Sequence, residues 1–167
     1  DDEGVLGSDF YLMEKMEGVI LNFKEAKKRN IAVKDYKTIA NSWLDTLVAL
    51  HKVDYKAIGL GGLGKPEGYV ERQVANWGKQ YVKAKTADVP AAEIVMNWMH
   101  EHQPKKYDHC LIHNDFKYDN VVFKDDSWQE VAAVLDWEMA TLGDPLMDLG
   151  TSLGYWTVAS DHDFVKQ

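Results

Sequence analysis

The chain has 167 residues, of which 46% are hydrophobic and 28% are charged, as expected for a globular domain with a sizeable core. A formal net charge of −8 argues against a nucleic-acid partner, and no apolar run approaches the roughly 20 residues of a membrane span. The single cysteine, Cys110, excludes an internal disulfide and is typical of a reducing compartment, so we expect a cytoplasmic protein.

Two short apolar runs near the start of the chain predict strands. Residues 9–13 and 19–21 are rich in aromatic and aliphatic side chains, and residues 14–18 form a short connector between them. From these residues alone the ordinary interpretation is a β-hairpin. Residues 24–34 are basic and polar and predict a surface connector.

The first predicted helix begins at Asp35, whose side chain suits an N-cap. Apolar residues at helical spacing continue to about Lys52 and place Trp43 and Leu47 on the buried face. His51 lies at the end of this helix. There the favoured interpretation is a histidine that complements the helix dipole or packs in the core, rather than a ligand.

A glycine-rich stretch at residues 59–66 separates this helix from the next two. Glycines before a lysine suggest a phosphate-binding loop, but Pro66 stands where such a loop needs Ser or Thr. We therefore interpret the stretch as a surface loop that could border a substrate site. Helical patterns then cover residues 67–85 and run from Pro90, which suits a first helical turn, to about His102.

Several histidines lie between residues 100 and 113 and raise the question of a zinc site. His100 and His102 are two residues apart on a predicted helix and face different sides, whereas zinc sites favour Cys and His pairs on turns. The spacing therefore does not favour zinc, and Cys110 is interpreted as a small core residue rather than a nucleophile.

The most informative stretch is a polar loop between apolar, β-prone segments at residues 110–112 and 121–123. The loop has the form His-x-Asp-x-x-x-x-Asn, with Asp115 and Asn120, and a further apolar segment ends on Asp136. Phosphoryl transfer from ATP needs a carboxylate that orients or deprotonates a hydroxyl and oxygen ligands that hold Mg²⁺ on the phosphates. The pattern therefore predicts a phosphotransferase site.

A last helix is predicted after this site. Asp144 suits its N-cap and Pro145 its first position, and the helix would continue through Leu153, Tyr155 and Trp156.

Three motifs stand out in combination: His-Asn-Asp-Phe-Lys-Tyr-Asp-Asn at residues 113–120, Leu-Asp-Trp-Glu at 135–138 and Gly-Asp-Pro-Leu-Met-Asp-Leu at 143–149. Together they resemble the aminoglycoside phosphotransferase family, which shares the protein-kinase-like fold. Residues 50–54 and 61–77 are similar to the branch found as a kinase-like domain fused to some acyl-CoA dehydrogenases. The resemblance implies an α+β, protein-kinase-like fold.

The resemblance also implies a division of the chain. Residues 1–22 would be the end of the N-lobe and the hinge, and residues 23–167 would be the C-terminal lobe, with both ends truncated. Met13 would stand at the gatekeeper position, and the Glu14 carbonyl and Met16 amide would bind the adenine of ATP. The N-lobe is then largely absent, together with its phosphate-covering loop and lysine, so we expect these 167 residues alone to be inactive.

Roles in phosphoryl transfer follow from the same resemblance. Asp115 would accept or orient the hydroxyl proton of a small-molecule acceptor, and Lys117 would offset charge on the transferring phosphoryl group. Asn120 and Asp136 would bind Mg²⁺, and Glu138 would add a contact through water.

Two further residues would support the loop: His113 would brace it, and Asp148 would accept hydrogen bonds from its backbone. An alternative function stays open, that of a nucleotide-binding pseudokinase or regulatory module, because the N-lobe lysine cannot be placed. A protein kinase is disfavoured because Trp-Glu follows Asp136 where a protein kinase has Phe-Gly. The acceptor and the oligomeric state stay open.

Overall fold

The computed structural model describes Gly4, Gly7, Phe10, residues 12–157 and residues 160 and 161. The predicted α+β class is confirmed. None of the helices in this part of the chain is long and apolar enough to span a membrane. The elements, in chain order, are β1 (Val19–Ile20), α1 (Phe23–Arg29), α2 (Val33–His51), α3 (Tyr69–Ala84), α4 (Pro90–Glu101), β2 (Cys110–Ile112), β3 (Val121–Phe123), β4 (Val131–Val134), β5 (Thr141–Gly143) and α5 (Pro145–Leu153).

The strands form two small antiparallel sheets, one of order β1-β3-β4 and one in which β2 pairs with β5. Val121 lies opposite Val134 in the first sheet, and Ile112 lies opposite Thr141 in the second. Residues 113–120 connect β2 to β3, and residues 135–140 connect β4 to β5. Because the partners of β2 and β3 are β5 and β4, the sheets hold these two loops side by side.

The β-hairpin interpretation of the first residues is wrong for the part of the chain that the structure describes. Phe10, Leu12 and Met13 lie outside any strand, whereas Asp9 and Tyr11 fall outside the described residues. β1 pairs with β3, about a hundred residues further along the chain, through Val19 opposite Phe123.

Helix α2 forms the centre of the core, with Trp43 and Leu47 buried as predicted. The Trp43 ring lies 4.7 Å from the ring of Phe116, so the core contacts the 113–120 loop directly. The helix ends at His51, close to the predicted Lys52. It begins earlier than predicted, because Ala32 is the N-cap residue and Asp35 lies in the first turn, where its charge favours the helix dipole.

The surface connector predicted at residues 24–34 is wrong, because the structure forms helix α1 there. The Asn22 side chain caps it by accepting a hydrogen bond from the Glu25 backbone N–H at 2.9 Å. One turn after Glu25, the Arg29 side chain forms an ion pair with the Glu25 carboxylate at 2.8 Å. A side-chain cap and an i,i+4 ion pair are enough to favour a short helix on a surface.

Helix α5 confirms the predicted cap and corrects the predicted end. The Asp144 side chain accepts hydrogen bonds from the backbone of Leu146 and Met147, at 2.6 and 3.1 Å. The helix ends at Leu153, so Tyr155 and Trp156 lie beyond it and not on it.

The glycine-rich stretch is a loop of turns, as predicted, and it packs against the second sheet. A Cβ atom added to Gly64 would collide with the side chain of Thr141 in β5. Cys110 is buried, as predicted, and burial raises the pKa of its thiol to about 12, with the Asp148 and Asp144 charges acting in the same direction. The thiol therefore stays protonated and inert at neutral pH.

Candidate active site

The 113–120 and 135–140 loops are joined through their backbones. The Leu135 N–H donates a hydrogen bond of 2.8 Å to the carbonyl oxygen of Asn120. Leu135 directly precedes Asp136, so this bond brings the predicted metal ligands Asn120 and Asp136 to neighbouring positions. The arrangement follows from the paired strands on each side of the two loops.

The side chain of Asp115 is held by three donors. Its Oδ2 atom accepts hydrogen bonds from Lys117 Nζ at 2.7 Å and from Asn120 Nδ2 at 3.0 Å. Its Oδ1 atom accepts from the Tyr155 hydroxyl at 2.7 Å. Asn120 Nδ2 also donates to the Asp115 backbone carbonyl at 2.9 Å, which fixes the loop around the carboxylate. The structure therefore brings Asp115, Lys117 and Asn120 together.

The charges in this group reinforce one another. Burial raises the pKa of the Asp115 carboxyl, but the hydrogen bonds from Lys117, Tyr155 and Asn120 outweigh it and hold that pKa below its usual range. The hydrogen bond to Asp115 in turn raises the pKa of Lys117. Both groups are charged at neutral pH, so the Asp115 carboxylate can accept hydrogen bonds and is a weak base.

The predicted metal ligands present oxygen atoms in different surroundings. Asn120 is buried, and because its Nδ2 donates to Asp115, its Oδ1 is the atom left for a cation. Asp136 is exposed and has a left-handed backbone with φ of 65°, a conformation that Asp tolerates better than most residues. Glu138 is exposed in the 3₁₀ turn Trp137–Met139.

This set of ligands fits Mg²⁺ better than a metal that needs a complete protein cage. An amide oxygen and carboxylates are hard ligands, and Mg²⁺ in nucleotide sites takes few protein ligands together with phosphate oxygens and water. The described residues contain no group of three or more His, Cys, Asp or Glu side chains that could hold a metal ion.

His113 is fully buried and uses both ring nitrogens. Its Nε2 lies 2.9 Å from the Leu135 carbonyl oxygen, and its Nδ1 accepts a hydrogen bond from the Asp115 backbone N–H at 3.2 Å. The neutral tautomer with its proton on Nε2 satisfies both contacts. His113 thus joins the two loops and has no free nitrogen with which to carry a proton.

Asp148 on α5 is fully buried and collects three contacts. Its Oδ1 accepts from the Asn114 backbone N–H at 2.7 Å, and its Oδ2 accepts from the His113 backbone N–H at 2.9 Å. The same Oδ2 lies 2.9 Å from Nε2 of His51 at the end of α2. Asp148 therefore fixes the start of the 113–120 loop to two helices at once.

The predicted nucleotide-binding residues lie before β1, in a stretch without regular structure. Met13, Glu14 and Met16 are all exposed, and no hydrogen bond joins their backbone to other described residues. Gly18 follows with φ of 147°, and a Cβ atom there would collide with the Phe123 carbonyl. This close approach fixes the end of the stretch against β3, whereas no hydrogen bond or ion pair among the described residues joins the three residues themselves to the 113–120 loop.

A cavity of about 180 Å³ lies beside the loop. Its lining side chains are aromatic, amide, thioether or hydroxyl groups, and none of them is charged: Tyr69, Gln73, Trp77, Asn114, Met139, Met147 and Thr151. Asn114 adjoins Asp115 in the chain, and its amide is held by the Tyr69 hydroxyl at 3.1 Å and the Met139 carbonyl at 3.0 Å. The cavity is thus built on the same loop as Asp115.

Sequence reasoning missed two residues that contact this site. The sequence favours a helix-dipole or core role for His51, and it predicts Tyr155 on the last helix without a role in the site. Each contacts a predicted site residue far away in the chain, Asp148 for His51 and Asp115 for Tyr155, at separations of 97 and 40 residues. No local pattern could have found either contact.

Comparisons with known proteins agree on one family. The profile of the phosphotransferase enzyme family named APH matches residues 1–167. Acyl-CoA dehydrogenase family member 10 of Mus musculus is 37% identical over 161 residues, which cover 96% of this chain and 15% of that protein. Acyl-CoA dehydrogenase family member 11 of Homo sapiens is 37% identical over 149 residues, which cover 89% of this chain and 19% of that protein. The chain thus spans a fifth or less of these relatives' length.

Solved structures show the same kinase-like fold. A Ralstonia eutropha structure, described as a candidate aminoglycoside phosphotransferase, aligns with a TM-score of 0.83 at 36% identity and covers 96% of this chain and 48% of that one. The streptomycin–ATP ternary complex of APH(2")-IIa aligns with a TM-score of 0.55 at 20% identity, covering 91% of this chain and 52% of that one. The second likeness shows the fold alone, and the predicted protein-kinase-like fold is confirmed.

Proposed function

Because the chain belongs to the APH phosphotransferase enzyme family, we propose that the protein carrying it transfers the γ-phosphoryl group of ATP to a hydroxyl group of a small molecule. The observation that carries the proposal is the fixed position of the Asp115 carboxylate between Lys117 Nζ, at 2.7 Å, and Asn120 Nδ2, at 3.0 Å. Phosphoryl transfer depends mostly on positioning and on compensation of charge, and this arrangement supplies both.

Asp115 is the proposed acceptor of the hydroxyl proton. The hydroxyl group of the small molecule donates to Asp115, its oxygen forms a bond to the γ-phosphorus, and the bond to the ADP oxygen breaks as the proton passes to the carboxylate. A carboxylate with a lowered pKa is a weak base, which suits a loose transition state in which the proton moves late. The Lys117 ammonium offsets the charge on the transferring group.

Mg²⁺ is part of the proposal, with Asn120, Asp136 and Glu138 as the residues that would hold it. When bound, the ion would neutralise phosphate charge and orient the phosphate chain. The supporting observation is the hydrogen bond from the Leu135 N–H to the Asn120 carbonyl oxygen. It holds Asn120 beside Asp136, which directly follows Leu135.

ATP would be held on its adenine side by the stretch before β1. The backbone groups of Glu14 and Met16 make no hydrogen bond within the described chain and are therefore available to an adenine edge, with Met13 beside them. Under this proposal residues 1–22 end an N-lobe and form the hinge, and residues 23–167 form the C-terminal lobe.

His113 and Asp148 are proposed to keep the 113–120 loop in position and not to react. Both are fully buried, and hydrogen bonds of each link the loop to a neighbouring element: His113 reaches the Leu135 carbonyl, and Asp148 accepts from the backbone N–H groups at the start of the loop. The cavity of about 180 Å³ beside Asn114 is the proposed place for the acceptor, and its uncharged lining suits an uncharged part of that molecule. A cytoplasmic location, where ATP is available and the buried Cys110 stays reduced, completes the proposal.

The test is ATP consumption by the full-length protein, with Mg²⁺, against a panel of hydroxylated acids, acyl-CoAs, amino alcohols and aminoglycosides. Asp115→Asn should lower turnover by about 10²–10⁴-fold and leave ATP binding, measured by calorimetry, unchanged. Asp119→Asn makes the same chemical change in the same loop at an exposed side chain and serves as the matched control.

Two outcomes would contradict the proposal. Unchanged turnover in Asp115→Asn would remove the role assigned to Asp115. ATP binding by the wild-type protein without transfer to any acceptor would instead favour the alternative of a nucleotide-binding regulatory module.

A further inference from the structure

The two carboxylate oxygens of Asp115 are not equivalent. Oδ2 is bound within the 113–120 loop, by Lys117 and Asn120. Oδ1 has one hydrogen-bond partner among the described residues, the hydroxyl of Tyr155 at 2.7 Å. An acceptor hydroxyl that replaces no contact inside the loop would therefore donate to Oδ1, and Tyr155, with its hydroxyl on Asp115 and its ring beside Lys117, occupies the space on that side of the carboxylate.

Tyr155 contacts both side chains that the proposed function puts at the reacting group. Besides its hydrogen bond to Asp115, its ring lies 5.1 Å from Lys117 Nζ, within range of a cation–π contact. The hydrogen bond to Asp115 raises the pKa of Tyr155, so its hydroxyl remains protonated and continues to donate at neutral pH. The tyrosine hydroxyl thus makes the hydrogen bond to Asp115 that an acceptor alcohol would need, while its ring lies beside Lys117.

The neighbouring residue anchors this tyrosine while leaving it able to move. Trp156 packs on Trp43 of the core, with ring centroids 5.6 Å apart, and stacks on Tyr118 at 6.4 Å. The Tyr155 side chain itself is 53% exposed, beyond the end of α5. Its ring can therefore leave Asp115 by side-chain rotation, without disturbing the aromatic contacts of Trp156 that hold the backbone.

We propose that Tyr155 holds the place of the acceptor hydroxyl on Asp115 Oδ1, so that an acceptor binds by displacing it. This inference rests on the proposed function and deepens it. The tyrosine excludes water from Asp115 while no acceptor is present, which limits wasteful hydrolysis of ATP. It also lowers the affinity for every acceptor by the same factor, because each must first break the same hydrogen bond.

The test is Tyr155→Phe in the full-length protein, which keeps the ring over Lys117 and removes only the hydroxyl. With an acceptor found in the screen, KM for the acceptor should fall about tenfold, the lower end for a hydrogen bond to a charged group, while kcat stays unchanged. Hydrolysis of ATP without an acceptor should increase. Tyr107→Phe is the matched control, because it removes a hydroxyl that donates to the Glu71 carboxylate, at 3.0 Å, outside the loop.

Each other result would overturn the inference. An unchanged KM with unchanged hydrolysis in Tyr155→Phe would show that the contact has no part in acceptor binding, while transfer by the wild-type protein would leave the proposed function standing. A lower kcat in Tyr155→Phe would show that the Tyr155 hydroxyl promotes the transfer step and does not merely occupy the acceptor position. Phosphate found on Tyr155 by peptide mass spectrometry would make it an acceptor. Absence of transfer by the wild-type protein would remove the proposed function and this inference together.

Discussion

Replacing Asp148 with asparagine should destabilise the protein far more than the same replacement at Asp144, on the same helix. Both carboxylates are buried and both accept two backbone hydrogen bonds. They differ in which oxygens accept. Asp148 uses one oxygen for the Asn114 N–H and the other for the His113 N–H, whereas Asp144 uses a single oxygen for both of its donors.

The difference sets the magnitude. An asparagine at 148 has one oxygen, so in either orientation its NH₂ group faces a buried backbone N–H that then has no acceptor. One such buried donor costs about 1–3 kcal/mol, and the remaining hydrogen bond is weakened because its acceptor is no longer charged, so we expect a loss of about 2–4 kcal/mol. An asparagine at 144 keeps its accepting oxygen and loses only its charge at the helix N-terminus, about 1 kcal/mol or less.

Urea denaturation followed by tryptophan fluorescence measures both losses, because Trp43 is fully buried in the core beside the loop. The expected loss at Asp148 is a large part of the roughly 5–15 kcal/mol that stabilises an ordinary domain. Equal losses in the two variants would refute the reasoning, since they would show that the split between the two oxygens of Asp148 has no energetic consequence.

Two further predictions concern charge and backbone. Lys117→Met should raise the pKa of Asp115 above its wild-type value, because burial remains while the strongest opposing partner is lost. A carboxyl whose folded pKa lies below its unfolded value of about 3.9 stabilises the protein above that pH, and this stability is lost as pH falls through the folded pKa. Because the folded pKa of Asp115 is higher in the variant, this stability should be lost at a higher pH. An NMR titration of Asp115 measures the pKa, with Lys124→Met as the control. Gly18→Ala should destabilise by about 2 kcal/mol or more and Gly61→Ala by about 0.5 kcal/mol or less, since only the first meets a positive φ and a neighbouring carbonyl.

Features that depend on short-range chemistry were predictable from the sequence. Asp144 followed by Pro145 signals a helix start wherever it occurs, and the spacing of Trp43 and Leu47 identifies the buried face of α2 without knowledge of what covers it. The predicted start of α2 is too late for the same reason: Asp35 is a good N-cap by residue type, but the helix begins at Val33 and Asp35 lies in its first turn.

The partners of the site could not be predicted, because they depend on the pairing of distant strands. The 113–120 motif identifies Asp115 and Asn120 as chemistry-bearing residues. Which side chain reaches each oxygen follows from the register of β2 with β5 and of β3 with β4, and no local pattern encodes that register. His51 and Tyr155 reach the site through contacts with residues 97 and 40 positions away in the chain.

Helix α5 carries Asp148, which positions the 113–120 loop, and leads to Tyr155, which covers the Asp115 carboxylate. Loss of each residue should change a different kinetic constant. Asp148 binds the loop through its backbone inside the core, so its loss should misplace Asp115 and lower kcat. Tyr155 lies beyond the helix and bonds the Asp115 side chain from the solvent side, so its loss should act on acceptor KM. If both substitutions changed the same kinetic constant, the distinction would be wrong: the loop backbone fixed by Asp148 and the displaceable Tyr155 side chain would not have separate roles.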